Sequence, residues 1–179
     1  MSSDQLTPFS YAVLVLVGEG GAGPHDLVRM MRRGRVYWAA SESQWYAEPK
    51  RLERLGLLRS RKEPGRTRPR TVYELTAAGR AALRDWAPTP VGFPRIQNEP
   101  VVRVLAADLV GDARVLEGLR GLRADLDEID ASLDAAEEIA RGLPHRERYL
   151  MLNHRLARRL VAAHREWLEE AERELGSRP

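Results

Sequence analysis

Four prolines between residues 87 and 100, in APTPVGFPRIQNEP, constrain the fold more than any other feature of the chain. Each proline ring fixes φ and removes a backbone donor, so no long helix and no central strand runs through the segment. It reads as a linker or corner between two units, residues 1–86 and 101–179. A chain of 179 residues has room for two such units.

The first unit alternates apolar runs with turn signals. PFSYAVLVLVGEG (8–20) is an apolar helix ended by Gly18, Gly20 and Gly21. GPHDLVRMMRRG (23–34) has Pro24 near its start, an acid in its first turn, cations in its last turn and Gly34 just beyond, which are helix start and stop signals in the correct order. A short connector, 36–43, leads into SQWYAEPKRLERLGLL (43–58), a third helix that Gly56 stops. LLRSRKE (57–63) and RTVYEL (70–75) are strand-like and flank the basic turn PGRTRP. TAAGRAALRDW (76–86) is a closing helix with Thr76 at its N-cap.

The order helix, helix, helix, strand, basic turn, strand, helix is that of a winged helix-turn-helix with a two-stranded wing. Such a unit presents its third helix to the DNA major groove and its wing to the neighbouring phosphates. Charge supports this reading. Residues 1–90 carry a net charge of +6 and residues 91–179 a net charge of −3. Between 50 and 70 nine cations (Lys50, Arg51, Arg54, Arg59, Arg61, Lys62, Arg66, Arg68 and Arg70) face only Glu53 and Glu63, a footprint suited to a polyanion. On the third helix Leu52, Leu55 and Trp45 take the inward face. Gln44, Lys50, Arg51 and Arg54 fall elsewhere, with Ser43 and Tyr46 beside them. Gln and Arg make paired hydrogen bonds to base edges, whereas Lys, Arg and Tyr clamp phosphates. The candidate DNA-binding set is therefore Ser43, Gln44, Tyr46, Lys50, Arg51, Arg54, Lys62, Arg66, Arg68 and Arg70.

Pro49 stands within that third helix. A mid-helix proline costs about 3 kcal/mol, but in the first turn it costs little. Two readings follow: a helix capped by Ser41 or Ser43 that kinks at Pro49, or a helix whose regular part begins only at Tyr46–Glu48. The second would leave Gln44 and Tyr46 in the turn.

The second unit is all-helical. In 113–143 Leu116, Leu119, Leu122, Leu126, Ile129, Leu133, Ala136 and Ile139/Ala140 recur at spacings of three and four. In 145–175 Tyr149, Leu152, Leu156, Leu160, Ala163 and Trp167 do the same. Two long helices joined at GLP (142–144) predict an antiparallel hairpin, with more apolar stripe than one partner helix covers. A second copy of the chain in a two-fold dimer buries the remainder most simply. The chain is thus expected to be mainly α, with a dimerisation hairpin after the winged unit.

Other chemistries find no support in the residues. The chain has no cysteine, which removes disulfides and thiolate ligands. His25, His145, His154 and His164 form no i,i+4 pair with an acidic partner, so no metal or other cofactor is expected. GEGGAG (18–23) lacks the Lys–Ser/Thr of a phosphate loop, and no catalytic constellation appears. The ten-residue apolar start has no basic region before it and reads as a buried helix, and no run is long enough for a bilayer, so a cytoplasmic location is expected. Trp38, Trp86, Tyr149 and Trp167 are the candidate lining of an effector cavity at a dimer interface, for an aromatic or cationic ligand.

YAEPKRLERLGLL (46–58) followed by TVYELTAAGRAAL (71–83) resembles the PadR family of bacterial transcriptional regulators. Tyr46, Lys50, Arg51, Leu52, Glu53, Gly56 and Leu57 match the family's recognition-helix segment. Tyr73, Leu75, Thr76 and Gly79 match its wing-closing segment. The resemblance covers residues 8–86, and the C-terminal unit is similar to the family's helical dimerisation region in type only. It implies a homodimer on double-stranded DNA, usually a repressor released by a small effector. Two departures stand out: His25 occupies the place of an expected tyrosine, and Pro49 that of a common aliphatic residue. The competing reading is a winged-helix adaptor whose basic face meets an acidic protein.

Overall fold

Pro8 opens the first helix because a proline at N1 forfeits only an N–H that has no intrahelical partner there. The computed structural model describes residues 5–34, 36–37, 40–64, 69–94 and 96–177, and its first helix, α1, spans Pro8–Val17. Ser10 N–H donates to Thr7 Oγ1 at 3.2 Å and Thr7 N–H donates back to Ser10 Oγ at 3.0 Å, the reciprocal bonding of a capping box. Helix α2 spans Pro24–Arg33, and Asp26 in its first turn accepts from Gly23 N–H at 3.1 Å.

Helix α3 spans Glu42–Arg54 and continues through Pro49. Ser41 N–H donates to Gln44 Oε1 at 2.9 Å, so the start lies before the proline and both Gln44 and Tyr46 are helical. Trp45, Pro49 and Leu52 are buried, at spacings of four and three. Pro49 is therefore a core residue: its ring takes the inward place where an aliphatic side chain would otherwise pack. The helix ends as Gly56 N–H donates to Glu53 C=O and Leu57 N–H to Leu52 C=O, both at 2.9 Å. This paired closure requires the left-handed φ of +72° that Gly56 adopts.

Strands β1 (Leu58–Glu63) and β2 (Arg70–Leu75) form an antiparallel pair in the register Leu58↔Leu75 to Glu63↔Arg70. Only Leu58 of β1 is buried, whereas β2 buries Val72, Tyr73 and Leu75. The turn after α1 is more than a connector. Ala22 and Tyr73 exchange backbone hydrogen bonds at 3.0 and 2.9 Å, adding a one-residue bridge to the wing. Helix α4 spans Ala77–Trp86, with Gly79 N–H donating to the Thr76 cap at 3.0 Å. The core of this unit joins Leu14 and Val17 of α1, Leu27 of α2, Trp45 and Leu52 of α3, and Leu58 and Leu75 of the wing.

The chain divides at Gly92–Phe93, inside the proline-rich segment. The second unit begins with short helices α5 (Glu99–Leu105) and α6 (Ala107–Val110). Where one helix over 113–143 was expected there are two, α7 (Asp112–Leu119) and α8 (Leu122–Arg141). Gly118 and Gly121 weaken the helix at the break. The break lets Val115 and Leu119 of α7 pack on Leu168 and Ala171 of the last helix. That helix, α9, spans Glu147–Gly176 and runs antiparallel to α8. Ion pairs fix the direction: Arg158 reaches Asp134 and Glu137 at 2.6 and 2.8 Å, Arg165 reaches Asp127 and Asp130 at 2.7 and 2.8 Å, and Arg123 reaches Glu172 at 2.8 Å.

The apolar stripe read along 145–175 is not the buried face of α9 in its unit, although Trp167 near its end packs on the core of α7 and α9. Ala157, Val161, Leu168 and Ala171 are the buried residues of α9. At about 100° per residue the stripe lies roughly a quarter-turn away. Tyr149, Leu152 and Leu156 on it are 63%, 51% and 49% exposed.

Candidate nucleic-acid interface

Helix periodicity sorts the side chains of α3 before any contact is considered. With Trp45, Pro49 and Leu52 inward, about 100° per residue puts Ser43, Ala47, Lys50 and Arg54 on the opposite face. Tyr46 and Glu53 fall on one flank, and Gln44, Glu48 and Arg51 on the other. Ser43, Tyr46, Ala47, Lys50, Glu53 and Arg54 together line a shallow hollow on the outer surface. Lys50 and Arg54 have no ion-pair partner among the described residues.

The other flank is spoken for. Arg51 donates from Nε and Nη2 to Glu48 at 3.0 and 2.7 Å, and from Nη2 to Ser10 Oγ of α1 at 2.9 Å. Its side chain is 22% exposed, that of Glu48 is 13%, and Ser10 is fully buried. Gln44 Oε1 accepts from both Ser41 N–H and Ser41 Oγ–H. Two residues singled out for base contact thus hold the helix in place. The i,i+3 spacing of Glu48 and Arg51 is the sequence signal for their pairing.

Much of the basic charge of the wing is also paired. A relay of ion pairs runs Arg59–Glu74–Arg61–Glu63–Arg70, with Arg59–Glu74 at 2.9 Å, Arg61–Glu63 at 2.5 Å and Arg70–Glu63 at 2.6 Å. Arg70 also lies 3.5 Å from Asp26. Lys62 Nζ donates to Thr71 Oγ1 at 2.7 Å. The Arg70 guanidinium holds the Glu63 carboxyl below its usual range, and Arg61 does the same for Glu74. These pairs sit at the surface, where each is worth about 0–1 kcal/mol. The wing arginines can therefore exchange a carboxylate for a phosphate at small cost. Arg51, half-buried on a nearly buried Glu48, cannot, because its departure strands a buried charge. Arg66 and Arg68 lie outside the described residues.

The aromatic candidates of the second unit, Tyr149 and Trp167, are not brought together. Trp38 lies outside the described residues. Trp86 stacks on Tyr11 with centroids 4.5 Å apart and planes 7° apart. Tyr149 and Trp167 share α9 but stand eighteen residues apart, about 27 Å at the helical rise. Trp167 packs on the small core of α7 and α9, and Tyr149 faces outward. Among the described residues there is no cluster of three metal-ligating side chains, and no helix is long and apolar enough to cross a membrane.

Residues 16–85 match the family model described as "Transcriptional regulator PadR-like family". Among solved structures, Bacillus subtilis PadR in complex with operator DNA is 19% identical, with a TM-score of 0.74 over 96% of this chain and 98% of that one. The same protein in complex with p-coumaric acid gives 20% identity and a TM-score of 0.57 over 92% and 98%. The PadR-like transcriptional regulator BC1756 from Bacillus cereus is 17% identical, with a TM-score of 0.76 over 96% and 100%. The Vibrio cholerae virulence activator AphA is 25% identical, with a TM-score of 0.61 over 94% and 98%. Curated protein sequences give no match.

Proposed function

Residues 16–85 are a PadR-like transcriptional regulator domain, and from that premise we propose that the chain is a homodimeric, ligand-responsive repressor that binds a palindromic operator. The observation that carries the proposal is the outward face of α3, where Lys50 and Arg54 have no ionic partner among the described residues, together with the exposed arginines of the wing. A groove-sized helix with free cations, flanked by a hairpin of exchangeable ones, suits the major groove and its bordering phosphates. Two-fold symmetry enters through α9, whose outward Leu152 and Leu156 supply a self-complementary apolar strip for a second copy. A dimer carries two copies of α3 and so reads inverted half-sites. Effector response is supported by the p-coumaric acid complex of the B. subtilis protein. In this chain the aromatic side chains Trp38, Trp86, Tyr149 and Trp167 remain the proposed lining.

Gel-shift titration with the DNA upstream of the chain's own gene tests the reading. A shift at submicromolar dimer that weakens steeply with salt is expected. No shift at micromolar protein would favour the protein-interaction adaptor.

A further inference from the structure

We infer that Arg51 is a positioning residue that fixes α3 on α1, and that DNA sequence is read by Ser43, Ala47 and Lys50, with Tyr46 and Arg54 on the backbone at either side. The inference rests on the DNA-binding reading above and assigns its individual side chains. Arg51 belongs by residue type among base readers, but its Nε–Nη2 edge is engaged. Nε and Nη2 form a fork on Glu48, and Nη2 also reaches the fully buried Ser10. Ser10 Oγ is the atom that accepts from Thr7 N–H at the cap of α1. One hydroxyl therefore ties the start of α1 to the middle of α3. Gln44 sits on the same flank as Arg51, with its carbonyl oxygen committed to Ser41.

Base readout then falls to the face directly opposite the core. Ser43, Ala47 and Lys50 project from it at spacings of four and three. Lys50 suits the O6 and N7 acceptors of guanine, and the Ala47 methyl suits the 5-methyl of thymine. Ala47 is also the shortest side chain on this face, so it lets the helix approach the groove floor. A half-site containing a thymine beside a G·C pair is the substrate this stripe selects.

The test is binding of the full-length protein to a random-sequence duplex and to its selected site across a salt series. Arg54→Met should flatten the salt slope by about 0.9, one released counterion, whereas Lys50→Met should chiefly relax the preference at the G·C pair it reads. Arg51→Met should leave the slope unchanged and lower the ratio of selected-site to random-duplex affinity by about tenfold without relaxing the preference at any single base pair. Ala47→Ser should relax the thymine preference and leave the slope alone. Should Arg51→Met fold poorly, Arg51→Lys decides: a phosphate contact survives that change, whereas a positioning fork does not, so the affinity ratio falls at unchanged slope. A slope flattened by Arg51→Met as much as by Arg54→Met overturns the inference, as does a preference relaxed by Arg51→Met at one base pair alone, or retention of the affinity ratio in Arg51→Lys. If the wild type binds no duplex at any salt, the DNA-binding reading fails. Arg51 is then judged by thermal unfolding of Ser10→Ala, Arg51→Met and the double variant, where additive losses refute its link to α1 and non-additive ones uphold it.

Discussion

Gly79 stands in the interior of α4, a position where glycine ordinarily weakens a helix by about 1 kcal/mol relative to alanine. By propensity alone Gly79→Ala should stabilise the protein. The packing reverses that sign. Gly79 is buried, and a methyl group there would overlap the Leu57 carbonyl oxygen, come within 3.2 Å of its carbon and meet Leu75 Cδ2 at 3.3 Å. That carbonyl accepts from Thr76 N–H at 3.1 Å and from Thr76 Oγ1 at 3.1 Å, so it joins the start of β1 to the cap of α4. Relieving the overlap displaces a backbone group and lengthens both bonds. Overpacking costs about 1–3 kcal/mol, and each weakened bond about 0.5–1.5 kcal/mol. Against a propensity gain of about 1 kcal/mol, the net expectation is a loss of about 1–5 kcal/mol. Urea unfolding monitored through the core Trp45 reads this directly. Gly20→Ala is the control, because nothing lies within 4 Å of the added methyl, and it should shift stability by no more than about 0.5 kcal/mol. A Gly79→Ala protein as stable as wild type would show that the close approach of α4 to β1 is not what requires the glycine.

Three further outcomes are expected. Leu152→Ala with Leu156→Ala removes apolar surface that is half exposed in the single chain. At about 1 kcal/mol for each of four leucines per dimer, the dissociation constant should rise about a thousandfold by sedimentation, and a variant still dimeric at nanomolar concentration would exclude this stripe from the interface. Replacing Arg66, Arg68 and Arg70 together by alanine should weaken binding to every duplex alike and flatten its salt dependence. Undiminished binding at about 100 mM salt would remove the wing from the interface. Glu63 and Glu74 have carboxyl groups held below their usual range by Arg70 and Arg61. Their contribution is therefore present above the unfolded carboxylate pKa and is lost as pH falls through the lower folded value. The protection of β1 and β2 amides relative to their intrinsic exchange rates should fall on acidification, and Glu63→Gln with Glu74→Gln should remove that dependence.

The fold was legible where one local signal dominated. Pro24 and Gly34 bracket α2, Thr76 caps α4, and Arg70–Leu75 reads as a strand because the β-formers Thr71, Val72 and Tyr73 cluster in it. The bridge between Ala22 and Tyr73 was not legible, since it joins residues fifty-one apart and its glycine-rich approach also describes an ordinary turn. The expected single helix over 113–143 failed for a related reason. Its leucine period continues unbroken through Arg120–Gly121, and only the packing of α7 on α9 gives the break a reward. In α9 the leucine stripe at Leu152 and Leu156 faces outward, while the buried residues are Ala157, Val161, Leu168 and Ala171. A hydrophobic period states that a face is to be covered, not by which chain.

The site was legible as a region rather than as a set of residues, and charge explains why. Nine cations over 50–70 are equivalent in a count, yet three electrostatic classes exist among those described. Lys50 and Arg54 stand in solvent without acidic partners among the described residues. Arg59, Arg61 and Arg70 share carboxylates at the surface, where water screens each pair to about 0–1 kcal/mol and exchange for a phosphate is nearly free. Arg51 pairs with a carboxylate that is itself almost buried, so removing it leaves an uncompensated charge. The difference between the last two classes is solvent access, which no residue-type pattern encodes. Spacing gave part of the answer, since Glu48 and Arg51 lie one helical turn apart. The burial that turns this pair from a surface ornament into a fastening depends on Ser10, forty-one residues away, and becomes visible only once α1 is laid against α3.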